Sequence, residues 1–284
     1  MITVRLSSGF GNQLFQYFFA QYLKEKYDQE VQFDSNGFKF DDSREIEITI
    51  LKSNFKIVNE TRLFTNYLGV AHRIKLFLFK INLCTKYIND KDLFNKTTLD
   101  QAKNYYFDGY WQTDYYISKI KNSDFLLNTV DKMPVLIENY ILEIEKSNSV
   151  ALHIRRGDYF SPLYIGRYAV CNINYYLKAL NYIQTNVENP VFFVFSDDLD
   201  WVRNNLELPK STIFVKNEKI NSFWYVFLMS KAKHNIISNS TFSWWGAYLN
   251  NNKNKIVVSP DRWMLDSDKT IALSEWIKIS VLNE

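Results

Sequence analysis

Short apolar strands that alternate with helical patterns constrain this chain more than any other feature. Residues 191–195 form an almost wholly apolar strand, and a helical pattern follows over 199–206. Residues 149–154 read as an earlier strand, followed by a helix over 175–185 that Asn174 could cap. Continuous apolar strands that are each followed by a helix are typical of a parallel sheet covered on both faces. Right-handed crossovers then predict a doubly wound, Rossmann-like domain.

The first half carries a second α/β pattern. Its pattern predicts strands at 2–6, 31–34 and 105–110. It also predicts helices at 63–83 and 133–145. After the first strand, apolar residues recur at helical spacing and predict a helix that ends near residue 27: Leu14, Phe15, Phe18, Phe19, Tyr22 and Leu23. The polar stretch 143–149 is the expected boundary, which gives an N-terminal α/β domain at 1–147 and a C-terminal Rossmann-like domain at 148–284.

Composition excludes several classes of protein. With 34 basic and 31 acidic residues, the net charge of +3 gives no surface on the scale that nucleic acid requires. Two cysteines cannot build a disulfide framework, and the three histidines lack metal-ligand spacing. No apolar run approaches the ~20 residues of a membrane span. We therefore expect a cytoplasmic protein without a metal site or a nucleic-acid partner.

The strongest chemical motif is HIRRGDY at 153–159, where the first strand of the second half ends. Neighbouring residues on a strand point to opposite faces, so only one of Arg155 and Arg156 is expected to reach a ligand, and the other to pair with a carboxylate. A guanidinium fork suits phosphate oxygens. The alternative is an ion-pair cluster on the surface.

A second candidate for binding an anion is SNSTFSWWG at 238–246. Hydroxyl side chains between a strand and a helix cap the helix and leave backbone N–H groups pointing outward. A diphosphate could bind there, but an ordinary capped helix has the same sequence pattern.

The acidic run Ser196-Asp197-Asp198-Leu199-Asp200 is ambiguous. Asp198 and Asp200 match the DxD pattern that in some enzymes holds a divalent metal and the diphosphate of a nucleotide substrate. One of the acids could instead cap a helix, and a carboxylate at a strand end could accept hydrogen bonds from guanine or ribose. Metal binding is the weakest of these interpretations, because arginine and helix-end donors already supply positive charge.

The loop at 9–14 begins like a dinucleotide-binding fingerprint. Gly9 and Gly11 fit the GxGxxG pattern, but Leu14 stands at the third glycine. Asp34, at the end of the next strand, keeps a dinucleotide-dependent oxidoreductase as an alternative. The glycines allow close approach of a ligand in either case, and Asn12 and Gln13 add amide donors.

Four motifs together resemble glycosyltransferase family eleven, the α-1,2-fucosyltransferases. They are SGFGNQLFQY at 8–17, GYWQ at 109–112, HIRRGDY at 153–159 and STFSWWG at 240–246. Ser8 departs from the pattern, because a glycine is usual there, and so does Phe10, where leucine is common. The resemblance implies a GT-B architecture, with two Rossmann-like domains facing across a cleft, and inverting transfer of L-fucose from GDP-fucose with no required metal or other cofactor.

The resemblance also implies residue roles. Arg155 would hold the β-phosphate, His153 would lie near the nucleotide and Asp197 would contact guanine. The diphosphate and ribose would be lined by Ser240, Thr241 and Phe242. Asn12, with Gly11 and Gln13 beside it, would face the fucose or the acceptor. Among the motifs, Asp158 is the nearest candidate for the base that activates the acceptor hydroxyl, and the alternative is that it only orients Arg155 or Arg156.

The expected acceptor is a galactose-terminated oligosaccharide or a lipid-linked glycan. A non-catalytic protein that binds a sugar nucleotide or a glycan stays open as an alternative. The segment 73–86 interleaves basic with apolar residues. It predicts either a helix that lies peripherally on the membrane or an ordinary core helix with lysines at its rim, the latter being favoured.

Overall fold

The computed structural model describes residues 1–40, 44–59, 85–90, 99–100, 103–120, 129–162, 164–168 and 170–282. The chain divides into two compact units, Met1–Asp131 and Lys132–Glu284. Within these ranges each unit contains its own parallel sheet, of five strands in the first and six in the second.

The first unit is built on a parallel sheet with the order β3-β2-β1-β5-β4. In chain order its strands and helices are β1 Ile2–Arg5, α1 Phe10–Tyr27, β2 Val31–Asp34, β3 Lys56–Val58, β4 Thr85–Asn89, β5 Asn104–Asp108 and α2 Asp114–Ile117. The predictions for β1, α1, β2 and β5 are confirmed to within a few residues. β3 and β4 were not predicted, because they are short and mostly half-exposed, so they lack a continuous apolar run.

Aromatic packing accounts for the first core. Phe19 of α1 stacks on Trp111 with ring centroids 4.1 Å apart, and it meets Phe107 of β5 edge-to-face at 5.2 Å. All three side chains are buried. The apolar stripe of α1 therefore covers the sheet where β1 and β5 pair.

The second unit is a parallel sheet with the order β11-β10-β9-β6-β7-β8. In chain order its elements are α3 Val135–Glu145, β6 Asn148–Ile154, α4 Ile165–Tyr168, α5 Ile173–Asn186, β7 Pro190–Ser196, α6 Leu199–Asn205, β8 Ile213–Phe214, α7 Phe223–Lys231, β9 His234–Ile236, α8 Thr241–Tyr248, β10 Val257–Pro260 and β11 Ile277–Ile279. The central strands β6 and β7 are almost wholly buried, as their continuous apolar character predicts.

Two sequence-based expectations are corrected here. The division between the units falls after Asp131, earlier than the expected 147/148 boundary, because α3 packs against α7 and β6 and so belongs to the second unit. The cap of α5 is Asn172 and not Asn174: its Oδ1 accepts a hydrogen bond from the backbone N–H of Tyr175.

Most of the segment that raised the question of membrane contact, 73–84, lies outside the described residues, as does the predicted helix at 63–83. Lys86, at the end of that segment, lies in strand β4 and not in a helix. Within the described ranges, no helix combines the length and the apolar character needed to cross a membrane.

Candidate active site

The chemical motifs of the second unit meet at one edge of its sheet. Strands β9, β6 and β7 are neighbours, and their carboxyl ends carry Ser238, Arg155 and Asp197 respectively. Because the strands are parallel, the three chain segments leave the sheet at the same edge. In open α/β sheets this edge is where ligands bind.

Arg155 is held by two carboxylates. Its guanidinium donates from one NH2 group to Oδ1 of Asp158 at 2.6 Å and pairs through the other with Oδ2 of Asp197 at 2.9 Å. The same guanidinium lies 5.5 Å from the ring centroid of Tyr159. Three groups from two chain segments thus fix a side chain that is 24% exposed, which leaves it partly open to a ligand.

Arg156 has a different environment. Its guanidinium carbon lies over two aromatic rings, 3.9 Å from the centroid of Trp201 and 4.2 Å from that of Phe160. Its Nε donates to Oδ2 of Asp198 at 3.2 Å. The expectation that one arginine pairs with a carboxylate was too narrow, because both do.

Gly157 is required by close packing. A Cβ at this position would lie 2.5 Å from Oδ2 of Asp197, the oxygen that pairs with Arg155. Oδ1 of the same carboxylate accepts the backbone N–H of Arg156 at 2.9 Å. Any side chain at residue 157 must therefore move a carboxylate that is anchored through both oxygens. The guanine contact implied for Asp197 stays a prediction.

His153 is buried and uncharged. Its Nδ1 lies 2.9 Å from Oγ of Ser238, and its ring lies 5.6 Å from that of Phe242. Burial, with Arg155 nearby, lowers the pKa of His153 to about 3. The imidazole is therefore neutral at physiological pH and can act only through hydrogen bonding and packing.

Helix α8 begins with the expected cap. Oγ of Ser240 accepts the backbone N–H of Phe242 at 3.3 Å, while Thr241 and Phe242 are half-buried. The preceding Asn239 is buried, and its amide donates to the carbonyls of Tyr168 and Trp263. The helix start is thus fixed by Asn239, which lies in the segment expected to bind an anion but donates its amide within the protein.

Asp198 and Asp200, in the acidic run after β7, both have partners within the protein. Asp198 caps α6 by accepting the backbone N–H of Trp201 at 3.1 Å, in addition to its pair with Arg156. Asp200 pairs with Arg203 at 3.2 Å. Among the described residues, no group of three histidine, cysteine, aspartate or glutamate side chains is arranged to hold a metal ion.

The loop at the start of α1 in the first unit is organised around Asn12. Its Nδ2 donates to Oγ of Ser8 at 3.0 Å, and its Oδ1 accepts from Nε2 of Gln112 at 2.8 Å. Ser8 has φ 68°, a left-handed conformation that favours glycine. This explains why glycine is usual at that position in the family that the chain resembles. It also gives the GYWQ motif a physical role, since Gln112 orients Asn12.

The ligand role expected for Gln13 is wrong. Its side chain is fully buried and makes four hydrogen bonds within the protein. Nε2 donates to the carbonyls of Ser8 and Glu45, and Oε1 accepts the backbone N–H groups of Glu47 and Ile48. Gln13 ties the 45–48 segment to α1, and Gly11 is likewise buried within that helix.

The dinucleotide interpretation fails at Asp34. That residue is fully buried at the end of β2, where Oδ2 accepts the hydroxyl of Tyr106 at 2.7 Å and Oδ1 accepts the backbone N–H of Asn36 at 3.0 Å. A carboxylate enclosed in this way cannot bind the hydroxyls of a ribose. Leu14, at the third glycine position of the fingerprint, is also fully buried.

Comparison with known proteins agrees with the four motifs. The model of the family described as glycosyl transferase family 11 matches residues 1–280. The chain is 31% identical to the O-antigen biosynthesis glycosyltransferase WbnK of Escherichia coli, over 96% of this chain and 99% of that protein. It is 30% identical to an alpha-1,2-colitosyltransferase of Escherichia coli, over 93% and 92% of the two chains.

A partial match reaches a mammalian enzyme. The chain is 32% identical to galactoside alpha-(1,2)-fucosyltransferase 1 of Lagothrix lagotricha, over 46% of this chain and 38% of that one. Among solved structures, fucosyltransferase NodZ from Bradyrhizobium aligns with a TM-score of 0.52 and 12% identity, over 86% of this chain and 90% of that one. At this identity the likeness concerns the fold alone, and it confirms the expected GT-B class with two Rossmann-like domains.

Proposed function

The chain belongs to glycosyl transferase family 11, and from that membership we propose that it transfers L-fucose from GDP-fucose to the 2-hydroxyl of a galactoside, with inversion at the anomeric carbon. The relatives favour this linkage, since two of them are described as α-1,2-transferases. The acceptor would be a galactose-terminated oligosaccharide or a lipid-linked glycan of a surface polysaccharide. WbnK, described as an O-antigen enzyme, supports the latter context.

The observation that carries the proposal is the placement of Arg155. It stands at the ligand-binding edge of the second sheet, partly exposed and fixed by Asp158 and Asp197. When the glycosidic bond to GDP breaks, negative charge grows on the β-phosphate. A preorganised guanidinium stabilises that charge more in the transition state than in the ground state, and this difference is what lowers the barrier.

The remaining residues of this edge fit a nucleoside diphosphate. The start of α8, with Ser240, Thr241 and Phe242, would receive the diphosphate and ribose. His153, being neutral, would contribute a hydrogen-bonding and apolar surface without a charge. Asn12 belongs to the first unit, where Ser8 and Gln112 hold it, and its expected contact with the fucose or the acceptor rests on the family resemblance.

Inverting displacement also requires a group that takes the proton of the attacking hydroxyl. Asp158 is our candidate, because it is the carboxylate beside Arg155 that is more exposed, at 40% against 26% for Asp197. One of its partners is Arg155, so a phosphate that engages this guanidinium would compete with Asp158 for it.

We further propose that transfer needs no metal. The carboxylates of the DxD pattern already pair with Arg156 and Arg203, and Arg155 supplies the positive charge that a metal would provide. The test is activity in EDTA, which we expect to persist. Inactivation that Mn²⁺ reverses would contradict the proposal and assign Asp198 and Asp200 to a metal.

The experiment that tests the function is a donor and acceptor screen. GDP-fucose and GDP-colitose should be offered with galactosides, and the linkage of the product read by NMR. Colitose lacks the 3-hydroxyl of fucose, so comparing the two donors shows whether the enzyme recognises that hydroxyl. We expect turnover with GDP-fucose and an α-1,2 product. Preference for GDP-colitose would overturn the donor assignment, and tight GDP binding without any turnover would favour the non-catalytic alternative.

Cellular placement is a separate proposal. We propose a cytoplasmic enzyme, and contact between the 73–86 segment and the membrane remains a prediction. Equal recovery of the protein in the supernatant with and without anionic liposomes would show that this segment makes no such contact.

A further inference from the structure

Two adjacent arginines at the end of β6 have separate environments, which suggests separate tasks. Arg155 is held by carboxylates at the ligand-binding edge, whereas Arg156 is enclosed by Trp201 and Phe160. The Arg156 guanidinium contacts two rings and a carboxylate, and its side chain is 19% exposed, so most of its surface is already taken up by contacts within the protein. We refer to Arg156, Phe160, Trp201 and Asp198 as the arginine clamp.

The clamp joins the chain segments that leave two neighbouring strands. Arg156 and Phe160 belong to the turn after β6, while Asp198 and Trp201 belong to the start of α6, after β7. The backbone pairing of these strands ends at Ile154 and Ser196, so no sheet hydrogen bonds hold the residues beyond. Beyond these residues, side-chain contacts such as those of the clamp hold the two chain segments together.

A hydrogen-bond path leads from the clamp to Arg155. The backbone N–H of Arg156 donates to Oδ1 of Asp197, and Oδ2 of the same carboxylate pairs with Arg155. Where the clamp places the backbone of Arg156, it also places the carboxylate that orients Arg155. A guanidinium that is already oriented loses less rotational freedom when it binds a phosphate.

We propose that Arg156 and Trp201 are positioning residues: they act on the donor diphosphate through Asp197 and Arg155 without touching it. This inference rests on the proposed function. Loss of the clamp should leave the charge of Arg155 in place but let its orientation vary. We therefore expect weaker donor binding and slower transfer from a protein that is still folded.

Three substitutions separate the parts of the clamp. Trp201→Leu removes one stacking face, and Trp201→Phe keeps an aromatic ring there. Asp198→Asn removes the ion pair with Arg156 but keeps the cap of α6, because asparagine caps a helix as well as aspartate does. Asp200→Asn is the matched control: it makes the same change of charge in the same helix, at an exposed pair with Arg203 that has no link to Arg155 in the described contacts.

The variants should be compared in GDP affinity by calorimetry, and in kcat and KM for GDP-fucose well below the thermal midpoint of each protein. We expect Trp201→Leu and Asp198→Asn to lose about tenfold or more in kcat/KM, with weaker GDP binding. Trp201→Phe should recover most of the loss, and Asp200→Asn should match the wild type. Wild-type values in Trp201→Leu and Asp198→Asn would overturn the inference.

A double-mutant cycle distinguishes positioning from a general effect on the fold. If the clamp acts through Arg155, then adding Trp201→Leu to Arg155→Ala should weaken GDP binding little beyond Arg155→Ala alone. Full additivity of the two losses would show that the clamp does not act through Arg155 and would overturn the inference. Failure of the wild-type protein to bind GDP at all would instead count against the proposed function.

Discussion

Arg155 donates to Oδ1 of Asp158 at 2.6 Å, so the residue expected to bind a phosphate already has a carboxylate partner three positions along the chain. A second carboxylate, Asp197, remains attached if this bond is exchanged. If the donor binds here as we propose, its phosphate would compete with Asp158 for one guanidinium.

The first prediction concerns the charge and shape of Arg155. Arg155→Ala should lower the rate of transfer by about 10²–10³, the usual cost of removing one preorganised donor to a developing negative charge. Arg155→Lys should restore little, because an ammonium cannot bridge two acceptors as the planar fork does. Steady-state kinetics of folded variants measure this, and near-normal rates in Arg155→Ala would remove the central residue of the mechanism.

The second prediction concerns Asp158. In Asp158→Asn, Asp197 still orients Arg155 while one negative charge beside the expected phosphate site disappears. We expect tighter GDP binding by calorimetry together with a severe fall in kcat, because the base is lost. Weaker GDP binding would mean that Asp158 serves to orient Arg155. Wild-type turnover would exclude both roles and indicate a transition state that needs no strong base.

The third prediction concerns the dependence of stability on pH. The pKa of His153 is about 3 in the folded protein and about 6.5 when unfolded. As the pH falls below 6.5, the imidazole binds a proton in the unfolded chain but not in the folded protein, so the free energy of unfolding decreases. Between pH 7 and pH 5, His153 should lower the free energy of unfolding by about 2 kcal/mol. The pKa of His234 is also lowered by burial, so urea titrations should show a loss in both proteins that is larger in the wild type than in His153→Asn, and equal losses would contradict the assignment.

The fourth prediction concerns the backbone at Ser8. Ser8→Ala and Ser8→Gly both remove the hydrogen bond to Asn12, but only glycine relieves the left-handed conformation at φ 68°. Ser8→Gly should therefore be the more stable of the two by about 1 kcal/mol. Ser161, with φ −68°, is the matched control, and there alanine should be the more stable. The same order at both sites would contradict the explanation.

The fifth prediction concerns the packing of α7 on α8. A Cβ on Gly246 would lie 2.5 Å from Cβ of Met229, so Gly246→Ala should destabilise the protein by about 2–3 kcal/mol. The control is Gly166→Ala in α4, where an added Cβ meets no described atom within 4 Å. That change should be neutral or stabilising by up to about 1 kcal/mol. Unfolding curves that fail to separate the two variants would refute the packing argument.

Local patterns were sufficient to predict most elements. The strands β1, β2, β6 and β7 and helix α1 follow from runs of apolar residues, because burial on a sheet or along one helix face imposes a period that is visible within a few residues. The short strands β3 and β4 were not predicted, since their burial depends on neighbours that come from distant parts of the chain.

By itself, the sequence determined the α/β class, the four motifs and the place of Arg155 at the end of a strand, since each depends on residues that are close along the chain. Only the tertiary structure decided which of these polar residues are available to a ligand. Gln13 and Asp34 proved to be fully buried and bonded within the protein, while Arg155 is partly exposed. The pairing of Arg155 with Asp197 and of Arg156 with Asp198 exists because β6 and β7 are adjacent in the sheet. Strand order is set by the burial of whole elements, and no local pattern encodes it.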